Sequence, residues 1–399
     1  DDGIYLIQAI SVLNNHAPGV IIGDKVIPIF YTLPTQPYLH GIFLKILDLF
    51  FIDINIQTYR LFNYCSLATL FYLTYKFFYA IFDNGQHQRI AGNLSLLFLG
   101  LSQFSLQFYV NRPEILGLVF FMLGLIYFIK FLQGIGNKKL NVSLSFFFFG
   151  MASITHPNFV VLCGFCIAYW IYILVKTKSK LYLKYSITFF IPILGLLTWF
   201  FTNFDAVSDQ LFHRTNEVVS KSLFDNNGLF NIFRVITGDA SQSSSHNLYL
   251  QLHMLTFLLT LLFIVFYIFK KSKKVKNMLY IYNFFKILSL PLFLLLVSML
   301  PFRPYYLLIS FLSTIVLTFF FVSSMLNNQT EIIFAKKKLN LILIYLIIFI
   351  VPLSLPVFHV MKSQIYNGNF ENHHKTINTL SPFLNSERHI FITTAQLLP

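Results

Sequence analysis

Residues 143–175 read SLSFFFFGMASITHPNFVVLCGFCIAYWIYILV, a run with no Asp, Glu, Lys or Arg. A helix crossing a bilayer needs about 20 apolar residues. The run is too long for one such helix, and it is interrupted at His156-Pro157, where proline has no N–H to donate and its ring crowds the preceding turn. The pattern predicts a helical hairpin, 143–155 and 157–175, turning at His156. Lys138 and Lys176 then flank the pair on one side of the membrane. A single merged span would put them on opposite sides.

Working outward, eight more segments are apolar enough to cross or nearly so: 61–81, 91–109, 115–133, 186–203, 250–269, 279–299, 304–324 and 339–357. Alternating ten spans places the short connections 82–90, 134–142, 176–185, 270–278 and 325–338 on one side. They carry fifteen of the 29 basic residues, and only Asp83 and Glu331 of the 15 acids. Cytoplasmic loops concentrate Lys and Arg, so this side is expected to be cytoplasmic. The composition agrees: 56% of residues are apolar, 18% aromatic and 11% charged, with 49 Phe. Soluble domains carry roughly 25% charged residues. The net charge of +14 would suit nucleic acid, but the topology spends it on orientation.

The run 38–52 (YLHGIFLKILDLFFI) is shorter and carries Lys45 and Asp48, three apart on one helix face. If it crossed, every later loop would invert. It is therefore expected to lie in the outer interface as an amphipathic helix. Residues 1–60 form the first extracytoplasmic loop, with two interfacial helices and an acidic motif. Residues 61–357 form the membrane domain. Residues 358–399 begin an extracytoplasmic C-terminal domain, in which Ile390 to Thr393 reads as a strand. The start at Asp1, without Met, is read as the loss of one earlier span that also served for targeting. The fold class is thus an all-α polytopic membrane protein.

Cys163 and Cys166 form a C-x-x-C inside an apolar run and are expected to pack rather than react. Ser241 to Ser245 reads as loop. The sequons at Asn93, Asn141 and Asn328 fall on the cytoplasmic side. No transporter-like repeat and no Gly-rich phosphate loop is visible.

The charges outside the lysine loops gather on the outer side. Asp1 and Asp2 open a short helix whose Ile4, Ile7, Ile10 and Leu13 recur at helical spacing and would dock it on the membrane domain. A carboxylate there is an N-cap, and a second one adds a general base or metal ligand. Asn111-Arg112-Pro113-Glu114 lies between two spans, where charge is costly unless paired or functional; a local Arg112–Glu114 pair is the structural alternative. Arg303, Tyr305 and Tyr306 sit at the outer boundary, as headgroup anchors or as a clamp on a lipid phosphate. His156 occupies the remaining outer turn, as a helix-end histidine or a ligand. His373-His374 is too isolated for a metal site. A transporter would place its charges near mid-span; this arrangement suits chemistry on a lipid-linked substrate at the surface.

The order of motifs resembles a known group of enzymes. An acidic pair is followed by a Pro-containing interfacial helix (Thr35-Gln36-Pro37-Tyr38-Leu39) and by an Arg before the next span (Tyr59-Arg60-Leu61). An Arg-Pro-acid turn and a late Arg-Pro-Tyr-Tyr at a span start complete it. This succession resembles the GT-C glycosyltransferases, in the branch of the protein O-mannosyltransferases and the lipid A aminoarabinose transferases. The resemblance implies a GT-C-like bundle and an inverting enzyme that takes a sugar from a polyprenyl phosphate on the outer side. The acceptor would be a lipid, glycan or protein, in lipopolysaccharide or protein glycosylation, with no nucleic acid involved. It implies Asp1 as the catalytic acid, with Asp2 at a place that is usually Glu, and Glu114 as the acid of the second motif. Arg303, Tyr305 and Tyr306 would contact the donor phosphate, with Arg112 assisting, while Glu114 and His156 face the acceptor. Gln36 departs from the basic residue that often precedes the helix proline. No cofactor is required; some branches use a divalent ion, for which Asp1 with Asp2 or Glu114 is the available ligand set. Phe-, Asn- and Lys-rich usage points to an AT-rich genome, most simply a bacterium, with the protein in its inner membrane and the active site facing the periplasm or exterior. The rival readings are a lipid-linked sugar flippase or transporter, a diphosphate-using O-antigen polymerase or ligase, and a non-catalytic scaffold.

Overall fold

The computed structural model describes most of residues 2–205, with 102–112 the longest interruption. Beyond them it describes residue 208, parts of 280–289 and 311–323, and 331–334 with 337–340. The order is α1 (Asp2–Leu13), β1 (Gly19–Ile22), β2 (Lys25–Pro28), α2 (Thr35–Leu49), α3 (Ile56–Ile81), α4 (Gly85–Leu101), α5 (Pro113–Gln133), α6 (Lys138–Ser153) and α7 (Asn158–Thr177). A 3-10 segment, Lys180–Phe189, then runs into α8 (Phe190–Thr202), and β3 (Glu331–Phe334) and β4 (Lys337–Asn340) follow. Among the described residues three helices are long and apolar enough to cross a membrane: Pro113–Gln133, Asn158–Thr177 and the continuous Tyr182–Thr202. Length and composition therefore make this a predominantly helical membrane protein.

The hairpin expected over 143–175 is present as α6 and α7, with residues 154–156 turning between them. Asn137 starts α6 as its N-cap, its side chain accepting from the N–H groups of Lys139 at 3.0 Å and Leu140 at 3.3 Å. Helix α5 covers the expected 115–133. The interfacial helix expected at 38–52 is α2, shifted toward its N-terminus so that Pro37 lies in the first turn, where no intrahelical N–H is needed.

Several expectations are corrected. Helix α4 starts at Gly85 rather than 91, and the loop expected at 176–185 is helical from Lys180. The chain is not purely α: β1 pairs with β2 in the first loop, and β3 with β4, both antiparallel. With Leu339 and Asn340 in a strand, the span expected from 339 does not begin there. Of the Ile4, Ile7, Ile10, Leu13 stripe, the described side chains of Ile7, Ile10 and Leu13 are only half-buried, with Leu13 packing on the small core around Ala9 and Leu44. Gln8, Ala9, Ser11 and Val12 are the buried positions, because α1 packs on α2 through small residues. At Gly41 of α2, a Cβ would meet Val12 and the Ala9 carbonyl. The expected span 250–269, the part of the expected span 339–357 beyond Asn340, the tail 358–399 and the Ile390–Thr393 strand lie outside the described residues.

Helix α5 is the axis of the bundle, buried on nearly every face. Glycines let its neighbours approach, as small residues do where helices associate in lipid. A Cβ at Gly124 would stand 2.6 Å from the Phe149 ring of α6, and Ser145 donates to the Gly124 carbonyl at 2.9 Å. Phenylalanines fill the remaining space. Phe285 stacks on Phe319 with centroids 3.7 Å apart, and Phe128 meets Phe284 at 5.2 Å. Cys163 and Cys166 are buried free thiols within this core.

The two ends of the bundle are laced differently. At the end rich in lysine, Gln133 donates to the Ile81 carbonyl at 3.1 Å. There Lys76, Lys130, Lys176 and Lys184 lie over the rings of Tyr72, Tyr127, Tyr172 and Tyr185 respectively, the amphipathic pairing expected at headgroup level. At the opposite end, the Thr35 hydroxyl at the start of α2 donates to the Ile154 carbonyl at 2.7 Å, across 119 positions of sequence. That bond ties the first loop to the α6–α7 turn.

Candidate functional site

The described candidate residues that meet are Glu114 and His156. Glu114 enters the first turn of α5 directly after Pro113, near the positive end of the helix dipole. It is 6% exposed, and among the described residues it is the one buried side chain of the Asp, Glu, Lys and Arg types. One turn further in, Gly117 leaves room for the ring of Phe159, which occupies the place a Cβ would take. That close approach sets the start of α7 against the start of α5 and carries His156 to Glu114.

The turn presenting His156 is tightly bonded. Ser153 and Thr155 return their hydroxyls to the carbonyls of Phe149 and Met151 at 2.9 and 2.7 Å, and the His156 N–H reaches Ala152 at 3.3 Å. The His156 Nδ1 accepts from the Asn158 backbone N–H at 3.4 Å. A neutral ring with Nδ1 engaged carries its proton on Nε2, and Nε2 lies 3.8 Å from Glu114 Oε1. At that separation the two groups form an ion pair when the ring is protonated. Glu114 Oε2 and Asn158 Nδ2 are both buried without a hydrogen-bond partner. Asn158 was not singled out in the sequence; a polar amide opening an apolar helix directly after His156-Pro157 was the available signal.

Helices α1 and α2 stand beside this end. Tyr38, one turn from Thr35, has its hydroxyl pKa raised by burial, an effect partly offset by the neighbouring Trp199 side chain of α8. His40 stacks between Tyr59 and Phe62, with centroids 4.4 and 4.6 Å away, and donates from Nε2 to the Tyr59 carbonyl at 3.1 Å. Burial lowers its pKa to about 4, the carbonyl contact opposing that shift. The ring is neutral at pH 7 and acts as a dry strut joining α2 to α3. Gln36 is buried as well.

Of the other sequence candidates, Asp2 is the first residue of α1. Asp1, Arg112, Arg303, Tyr305 and Tyr306 lie outside the described residues. Among the described residues no three His, Cys, Asp or Glu side chains gather to hold a metal ion. Chemically, the site offers a buried carboxylate, an imidazole nitrogen 3.8 Å from it and a spare amide donor, all at helix ends beside the first loop. No protein family, no curated protein and no solved structure matches the chain.

Proposed function

We propose that the protein is an inverting membrane glycosyltransferase that moves a sugar from a polyprenyl-phosphate donor to a lipid, glycan or protein acceptor on the outer side. The observation that carries this reading is the placement of Glu114. A buried carboxylate paired with His156 sits at the helix ends opposite the lysine-rich end, beside the loop whose sequence opens on Asp1-Asp2. Transport pathways favour ionisable groups near mid-span, whereas group transfer at a lipid surface needs them at the boundary. The motif order from the acidic pair to Arg303-Pro304-Tyr305-Tyr306 supports the same reading.

In the proposed mechanism Asp1, with Asp2 beside it, accepts the proton of an acceptor hydroxyl as that oxygen attacks the anomeric carbon. The bond from the anomeric carbon to the phosphate oxygen breaks with inversion. Arg303, Tyr305 or Tyr306, and Arg112, stabilise the charge gathering on the departing polyprenyl phosphate. A phosphate monoester dianion leaves adequately with positioning and electrostatics, so no metal is required.

Replacing Asp1 with Asn tests the assignment. Membrane insertion should persist, while release of polyprenyl phosphate from a glycosylated lipid donor should fall at least 100-fold, the scale of general-base removal. Wild-type release by Asp1→Asn would sink it. Movement of the intact lipid across vesicles without any release would favour a flippase.

A further inference from the structure

We propose that Glu114, His156 and Asn158 form a subsite for the hydroxyl groups of a sugar ring. The inference rests on the glycosyltransferase reading and adds to it what these three residues hold. Glu114 is 6% exposed, yet its Oε2 has no hydrogen-bond partner; Asn158 is a half-buried residue whose Nδ2 atom is itself buried and unpartnered. Both residues are tied to the same imidazole. Glu114 Oε1 lies 3.8 Å from His156 Nε2, and the Asn158 backbone N–H lies 3.4 Å from His156 Nδ1.

Buried polar groups in folded proteins are nearly all satisfied, and an unsatisfied one carries a real desolvation cost. Here the two orphans are complementary: one accepts and the other donates. A hydroxyl group needs that combination, because it gives one hydrogen and takes one. A phosphate has no hydrogen for Glu114 at neutral pH and would be repelled by the carboxylate. A cation would be repelled by the Asn158 amide hydrogens. An alkyl chain would satisfy neither group. His156 Nε2 lies 3.8 Å from Glu114 Oε1, so Oε2 is the oxygen left for a ligand.

The sugar could come from the lipid-linked donor or from an acceptor glycan, and the test separates them. The full-length protein in nanodiscs is titrated with undecaprenyl phosphate carrying glucose, mannose or 4-amino-arabinose, with bare undecaprenyl phosphate, and with the free methyl glycosides. A donor subsite makes the glycosylated lipid bind at least tenfold tighter than the bare lipid. An acceptor subsite instead gives saturable binding of a free glycoside. Asn158→Asp, which turns the donor into an acceptor at unchanged shape, should remove that sugar-dependent gain and leave bare-lipid binding as it was; Glu114→Gln should reduce it in the same way. Asn158→Leu supplies the control against a purely structural role, because covering an unsatisfied amide with apolar carbon should leave the melting temperature unchanged or higher while sugar binding is lost. A wild-type sugar gain that persists in Asn158→Asp and Glu114→Gln overturns the subsite and leaves the transferase reading standing. Equal losses for glycosylated and bare lipid also overturn the subsite. Absence of any sugar-dependent binding in the wild type overturns both.

Discussion

His40 shows how a single side chain holds the first loop to the bundle. Its ring is stacked between Tyr59 and Phe62 and spends its Nε2 proton on a backbone carbonyl, so the folded state favours the neutral form and its pKa is about 4. The unfolded value is about 6.5. Between these values the unfolded chain binds the extra proton, so stability falls as pH drops from 6.5 to 4 and levels off below that. The loss is on the order of 3 kcal/mol, from the size of the shift. Trp199 beside Tyr38 reports it: its fluorescence should change over this window as α2 leaves α3, and His40→Phe, which keeps the stacking without the titration, should flatten the response. An unchanged transition in His40→Phe would remove His40 as its origin. Phe51 is a second instructive residue. It ends α2 at positive φ, 57°, and is 97% exposed. The Ile52 N–H returns to Leu47 and the Phe51 N–H to Asp48, the helix-ending pattern that glycine usually occupies. Phe51→Gly should therefore raise the stability of the detergent-solubilised protein by about 1 kcal/mol, measured by thermal unfolding. A loss instead would mean that the Phe51 ring makes contacts worth more than the strained backbone.

Helices meet in this bundle where side chains are smallest. Gly124 lies against Phe149 and the Ser145 carbonyl, and Gly117 against the Phe159 ring, so α6 reaches α5 at backbone distance and α7 seats a ring on it. Lipid offers little hydrophobic drive for helix association, which leaves close packing to supply it. Gly124→Ala should destabilise by about 1–3 kcal/mol through overpacking, and Phe149→Leu in the same chain should recover part of that loss. Strict additivity of the two changes in thermal unfolding would mean that they do not touch. Exposed apolar residues mark the opposite faces: Ile42, Ile46 and Leu49 on α2, and Leu194 and Phe201 on α8, point away from the described core. On α2 they share a helix with the buried Gln36, His40 and Leu44, the two-sided pattern expected of an amphipathic helix over 38–52, with its ends three residues earlier.

At the scale of the whole molecule, charge sets the orientation. With Lys139 and Lys184 at one end and Asn203 at the other, a membrane-impermeant thiol reagent should label Asn203→Cys in intact cells. It should label Lys139→Cys and Lys184→Cys only after permeabilisation, in a background lacking Cys65. The reverse pattern would invert the topology and put Glu114 and His156 on the cytoplasmic side, against the proposed chemistry.

The break between α6 and α7 and the apolar helices Pro113–Gln133, Asn158–Thr177 and Tyr182–Thr202 were legible in the sequence because each depends on a local quantity. Transfer of a segment into lipid, loss of a proline N–H and the cost of moving a charge are all summed along the chain. The meeting of Glu114 with His156 and Asn158, the Thr35 bond to Ile154 and the true buried face of α1 depend on which helices approach and at what rotation. Glycine positions and aromatic rings settle that in three dimensions, where hydropathy is nearly uniform. Of the Ile4, Ile7, Ile10, Leu13 stripe, the described Ile7, Ile10 and Leu13 stay half-buried for that reason: close packing at Gly41 turned Ala9 and Val12 fully inward instead.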